Sequence, residues 1–180
     1  GTAIGGGIGF NSAGGAGNIL ITGGNVYAYN FANRWDIPSS AIGGAGSKAS
    51  NGAVGNVTIT GGNVYAQSAI GTAIGGGSSY SSFGGRAVIT ISGGHVVARS
   101  VAAESGLKPG TMISPGAGIG GGTGCTSGDN PNLNGGSATI RISDNPIIRT
   151  GSIGGGHTNS PGGHLGTANI IVTGGDIQAQ

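Results

Sequence analysis

Side chains that could act as acid, base or nucleophile are few in this chain. Only five of its 180 residues are acidic, and these five carboxylates are dispersed along the sequence. Glycoside cleavage requires a pair of carboxyl groups held close together. The single cysteine and the three histidines also lie outside any Ser-His-Asp or Cys-His motif. The sequence therefore predicts no catalytic residues and no cofactor, and it predicts that the protein is not an enzyme.

One group of residues has side chains that suit a metal ion, namely Cys125, Asp129, His157 and His164. Thiolates, imidazoles and carboxylates are ligands of zinc and copper. The four residues fall in equivalent loops of two consecutive repeats, so folding could bring them together. Their spacing is irregular and their surroundings are rich in Gly, Asn and Pro, which favours exposed loop residues. The sequence leaves this site open and predicts no bound metal.

Aromatic residues offer the best binding site that the sequence contains. Tyr27 and Tyr65 occupy the same position of two neighbouring repeats, and Trp35 lies in the loop after the first of them. Rings on a flat β surface are a platform on which sugars stack, so we predict carbohydrate binding by these three residues. The alternative is ordinary cross-strand packing of residues that favour strands. The column is not expected to continue, because Val97, Ile148 and Gln178 are assigned to the next three places.

These residues belong to a unit that the sequence repeats five times. Each unit begins with an Ile-Gly-Gly marker, at 4–7, 42–44, 74–77, 119–122 and 153–156. Two short alternating segments joined by a tight turn follow, at 19–28, 57–66, 89–98, 140–149 and 170–179. Self-similarity at a period between 32 and 45 residues is typical of solenoids.

Alternation within each unit separates an apolar face from a polar one. Residues such as Ile59, Val64 and Ile147 are predicted to point inward, together with the isoleucine of each marker. Glycine pairs at the turns fit sharp corners with at least one positive φ. The pattern predicts an all-β fold: a right-handed parallel β-helix of about five rungs with three short strands each. Residues 1–180 are expected to form a single solenoid segment of a longer repeat protein.

The amino-acid composition limits the kinds of molecule that the protein is expected to bind. Glycine accounts for 45 residues, charged residues for only 7%, and the seven basic residues are scattered. Nucleic-acid binding, which needs a basic patch, is therefore not expected. No apolar run approaches the roughly 18 residues of a membrane span. A surface of Ser, Thr, Asn and Gly favours a secreted or cell-surface location.

The pattern IGGG…GGxVxITGGxVxA resembles a bacterial group of glycine-rich, carbohydrate-binding repeat domains. These domains are similar to pectate-lyase-type right-handed β-helices that lack the catalytic residues of the lyase. The match covers nearly the whole chain and rests on its glycines and core aliphatic residues. It implies a secreted or surface-attached protein that binds acidic plant or microbial polysaccharide.

Three functions follow as hypotheses. The first is a non-catalytic, adhesive or stalk-like surface module that binds a polysaccharide or cell-surface glycan. The second is a structural fibre subunit that self-associates through open solenoid ends, because no capping element is evident at 1–5 or 176–180. The third and weakest is ice binding, since only Thr58-x-Thr60 and Thr90-x-Ser92 provide the required Thr-x-Thr rows.

Overall fold

Each sequence repeat folds into one rung that contributes one strand to each of three parallel sheets. The computed structural model describes residues 1–31, 37–101, 116–124, 132–158 and 160–180, and these contain fifteen strands and no helix. The first sheet contains β1 (Ile4–Gly5), β4 (Ile42–Gly43), β7 (Ile74–Gly75), β10 (Ile119–Gly120) and β13 (Ile153–Gly154). The second contains β2 (Gly17–Ile21), β5 (Gly55–Ile59), β8 (Ala87–Ile91), β11 (Ala138–Ile142) and β14 (Ala168–Val172). The third contains β3 (Asn25–Asn30), β6 (Asn63–Ser68), β9 (His95–Ser100), β12 (Ile147–Thr150) and β15 (Asp176–Ala179).

Strand pairing places like residues directly above one another in successive rungs. Ile42 pairs with Ile74 in the first sheet, and Val57 pairs with Ile89 in the second. The sheets follow rung order without interruption. The predicted parallel β-helix of about five rungs is thereby confirmed. Among the described residues, none belongs to a helix that could cross a membrane.

The core is a set of aliphatic columns that run through the centre of the rungs. Ile59, Ile74 and Val64 are almost completely buried, as the alternation predicts. Burial of each such side chain stabilises the folded state by about 1.5–3 kcal/mol relative to leaving it exposed. The first and fifth rungs are less covered, and Ile4 and Ile153 are only partly buried against the core.

The predicted inward orientation of Ile147 is wrong. Ile147 is 42% exposed, whereas Ile148 is fully buried. The corner between β11 and β12 contains four residues, 143–146, while the corresponding corners of the other rungs contain three. Because successive side chains of a strand point to opposite faces, one additional residue reverses which of them is inward. Asp144, with φ of 58°, supplies the positive φ of this corner, where Gly62 and Gly94 supply it in earlier rungs.

The marker glycines do more than form corners. In each rung one backbone segment leaves the first sheet and another returns to the second sheet, and these two segments, or legs, pack directly together. We call the described residues of these segments, 5–17 and their equivalents in the other rungs, the glycine lobe. Outgoing and returning legs alternate along one column of backbone hydrogen bonds. The N–H of Gly85, in a returning leg, donates to the carbonyl of Gly77, in the outgoing leg of the same rung (2.7 Å). The N–H of Gly122, in the outgoing leg of the next rung, donates to the Gly85 carbonyl (2.8 Å). A Cβ at Gly76 would lie 2.1 Å from the Gly85 carbonyl oxygen, so no side chain fits between the legs.

Candidate functional site

The outward face of the third sheet carries the candidate site. Alternation along β3 turns Val26 and Ala28 inward and leaves Tyr27 and Tyr29 outward. Tyr27 pairs in register with Tyr65 of the next rung, as the sequence predicts, and its side chain is 67% exposed. Parallel rungs place these side chains about 4.8 Å apart along the solenoid.

Three rings of this face form a connected group. Tyr29 stacks on Phe31 with a centroid distance of 5.6 Å and an interplanar angle of 12°. Tyr29 also contacts Tyr65 at 5.5 Å with the rings tilted by 40°. The Tyr65 hydroxyl lies 3.2 Å from Gln67 Oε1 and donates to it. We call Tyr27, Tyr29, Phe31 and Tyr65 the aromatic cluster.

Tyr29 and Phe31 were not identified from the sequence as members of the site. The signal was the period of two, which places Tyr27 and Tyr29 on one face of β3 and continues to Phe31, the first residue after the strand. Trp35, the third predicted carbohydrate-binding residue, lies outside the described residues, and its role stays a prediction.

Two asparagine pairs connect the first two rungs, one of them beside the aromatic cluster, and neither was predicted from the sequence. Asn63 Nδ2 donates to Asn25 Oδ1 (2.9 Å), and these residues lie two positions before Tyr65 and Tyr27 in their strands. An equivalent pair, Asn56 to Asn18 (2.7 Å), lies on the second sheet. The first pair supplies polar groups beside the rings, and both couple the first two rungs. Their signal was the recurrence of Asn at equivalent positions of two repeats.

Beyond the third rung the same column becomes polar. Tyr65 pairs with Val97, Val97 with Arg149, and Arg149 with Gln178. Ile148 was expected at the fourth place. It is instead buried, because the four-residue corner shifts the alternation of β12 by one position.

Two arginines line a groove on this polar part of the face. The groove has a volume of about 450 Å³ and is lined by residues that include Arg99, Arg149, Thr150, Gln178 and Gln180. Arg149 Nη2 lies 2.8 Å from the Asp176 carboxylate, with both side chains partly exposed. Guanidinium groups donate paired hydrogen bonds to carboxylate or sulfate groups. We call this feature the arginine groove.

The candidate metal ligands are only partly described. Cys125 and Asp129 lie outside the described residues, and elsewhere in the described ranges no three His, Cys, Asp or Glu residues come together. His157 is half-buried, its Nδ1 makes no hydrogen bond, and burial lowers the pKa of its imidazole. His164 is exposed, and its backbone N–H donates to Asn134 Oδ1.

The outward face of the second sheet does not form a continuous threonine row. Thr58 and Thr90 pair in register, but Leu20 precedes them and Arg141 and Ile171 follow. A bulky apolar or charged side chain therefore interrupts the row at both of its ends.

Comparisons of this chain with models of protein families, with characterised proteins and with solved structures find no match.

Proposed function

We propose that this chain is a non-catalytic module that binds an extracellular or cell-surface polysaccharide along the outward face of its third sheet. The aromatic cluster is the observation that carries the proposal. Its four aromatic side chains are outward on two adjacent rungs, and Tyr27 remains mostly exposed to solvent. Aromatic rings supply a large apolar surface, and the tyrosines add hydroxyl groups that can hydrogen-bond to sugar hydroxyls.

The spacing of the rungs suits an extended polymer. A rung repeats every 4.8 Å or so, which is close to the length of one pyranose unit in an extended chain. A polysaccharide that runs parallel to the solenoid axis would therefore present successive sugar rings to successive rungs. The strands are held in register by their ladders, so little conformational freedom is lost on binding.

Acidic sugars are the preferred class of ligand. The arginine groove lies on the same sheet as the aromatic cluster, further along the axis, so one chain could contact both. Arg99 and Arg149 would then bind carboxylate or sulfate substituents. Arg149 pairs with Asp176 in the free protein, and a ligand carboxylate could take the place of Asp176 in this ion pair, so that Arg149 stays paired.

Affinity electrophoresis through gels that contain hydroxyethylcellulose, xylan, alginate or polygalacturonate tests the proposal. The parent should be retarded, most strongly by an acidic polymer. A Tyr27→Ala/Tyr29→Ala/Tyr65→Ala variant removes three rings, each worth about 0.5–1.5 kcal/mol. We therefore expect its affinity to fall roughly 100-fold. Trp35→Ala tests the remaining predicted residue separately.

Leu20→Ala is the matched control, because Leu20 is an exposed apolar residue on the second sheet. Circular dichroism should show the same β-rich spectrum for all variants. Retention of the triple variant equal to that of the parent would refute the site. A parent that no polymer retards, together with filaments in electron micrographs, would favour the structural fibre.

A further inference from the structure

A second exposed aromatic surface lies at the tip of the glycine lobe. The tip loops of the first three rungs have equal length, 9–14, 47–52 and 79–84, and Gly9, Ser47 and Ser79 form parallel bridges. The Ser47 hydroxyl accepts from the Ser50 N–H (2.9 Å) and donates to the Ser12 carbonyl of the preceding rung (2.7 Å).

The Ser79 hydroxyl repeats this arrangement one rung later. It accepts from the Ser82 N–H (2.9 Å) and donates to the Ser50 carbonyl (2.8 Å). The second and third tips are therefore each tied both to themselves and to the rung before them. These four bonds are partly shielded from solvent, and they hold the tips in a fixed stack.

The residue after each bridge position points outward, and these three residues are Phe10, Lys48 and Tyr80. Their backbones continue the ladder, because the Lys48 N–H donates to the Gly9 carbonyl and the Tyr80 N–H donates to the Ser47 carbonyl. Lys48 Nζ lies 4.4 Å from the centroid of the Phe10 ring. Phe10 is 60% exposed and Tyr80 is 37% exposed. We call these three residues the lobe-tip strip.

We propose that the lobe-tip strip is a second polysaccharide-binding site, so that one module cross-links two polysaccharide chains. This inference rests on the proposed function of the third sheet. The strip places two rings about two rung spacings, or roughly 10 Å, apart along the axis. Lys48 belongs to the intervening rung, and its ammonium group, which lies over the Phe10 ring, offers three hydrogen-bond donors.

An extended sugar polymer fits this geometry. The order ring, donor, ring on three successive rungs, at one rung spacing, matches a ligand that repeats along one direction. The strip belongs to the loops between the first and second sheets, whereas the aromatic cluster belongs to the third sheet. Both columns run along the axis on separate surfaces, so each would hold its own chain.

Four proteins test the inference: the parent, a Phe10→Ala/Tyr80→Ala strip variant, the triple tyrosine variant of the third sheet, and their combination. Affinity electrophoresis with polygalacturonate and hydroxyethylcellulose measures binding. The triple tyrosine variant should keep a weak retention that disappears in the combination. Light scattering from the same polymers in solution measures cross-linking.

The parent should raise the scattering most at an intermediate ratio of protein to polymer. The strip variant should remain retarded in the gel while its scattering signal falls about tenfold, because bivalent bridging is lost. Asn11→Ala, an exposed change in the first tip loop, should scatter like the parent. Sedimentation of each protein alone separates self-association from cross-linking.

A strip variant that scatters like the parent would overturn the inference and leave the proposed function intact. A triple tyrosine variant that shows no residual retention would likewise overturn the second site and leave the proposed function intact. A parent that neither polymer retards would overturn both.

Discussion

Replacing Gly76 by alanine tests the packing of the glycine lobe directly. Gly76 lies in the leg that leaves the first sheet, and glycine occupies the equivalent position in all five markers. An added Cβ would lie 2.1 Å from the carbonyl oxygen of Gly85, which belongs to the returning leg. The contacted atom is backbone, so no side-chain rotation can relieve the overlap. The legs would have to separate until this contact reaches an ordinary 3.4 Å.

Separation would break two neighbouring hydrogen bonds, one between the two legs and one that joins the returning leg to the next rung. The Gly85 N–H to Gly77 carbonyl bond (2.7 Å) and the Gly122 N–H to Gly85 carbonyl bond (2.8 Å) lie next to the contact. A buried backbone group left without a partner costs about 1–3 kcal/mol. Loss of both bonds, with some relaxation, is expected to lower the free energy of unfolding by roughly 3–5 kcal/mol.

Urea unfolding followed by circular dichroism measures this change. Gly23→Ala is the matched control, because a Cβ at Gly23 meets no atom within 4 Å. It makes the same chemical change at an exposed corner and should alter stability by less than about 0.5 kcal/mol. Equal unfolding midpoints for the two variants would refute the close packing of the legs.

Two further predictions concern the core and the pH dependence of stability. Ile148→Asp should lower the free energy of unfolding by several kcal/mol, because it places a charge in the apolar core, whereas Ile147→Asp should be nearly neutral. Chemical denaturation measures the free energy of unfolding of both variants. A larger loss for Ile147→Asp than for Ile148→Asp would show that Ile147 points inward, as the sequence predicted. Burial lowers the pKa of His157 below its usual 6.5, so the unfolded chain binds a proton more readily. Stability should therefore fall as the pH decreases below about 6.5 toward the lowered pKa, and His157→Gln should reduce that loss. Melting temperatures at pH 7 and pH 5 measure it, and an identical drop in both proteins would contradict the assignment.

The sequence alone was sufficient to predict the solenoid and much of its interior. A period of 32 to 45 residues and alternation within each unit required stacked rungs with aliphatic columns. The pairing of Tyr27 with Tyr65 and the positive φ of Gly62 followed from the same repetition. These features depend on neighbouring residues or on equivalent positions of adjacent repeats, so comparison of the repeats was enough to predict them.

The fourth rung shows where comparison of repeats failed. The sequence segment 140–149 has the same length as its counterparts, so it was aligned with them from end to end. The structure instead assigns one more residue to its corner, and Asp144 and Pro146 lie there. Whether a residue belongs to a corner or a strand depends on which neighbour its backbone pairs with. Only that pairing turned Ile148 inward and Arg149 outward.

The two proposed binding surfaces and the glycine lobe depended on contacts between rungs and between legs of one rung. Arg99 and Arg149 are 50 residues apart in the sequence, yet they line one groove. Phe10, Lys48 and Tyr80 share no motif, and equal loop lengths align them only once the tips are stacked. Repetition in the sequence determines the period and the buried face. The tertiary structure decides which unlike side chains meet on the surface, because stacking brings together positions that differ from one repeat to the next.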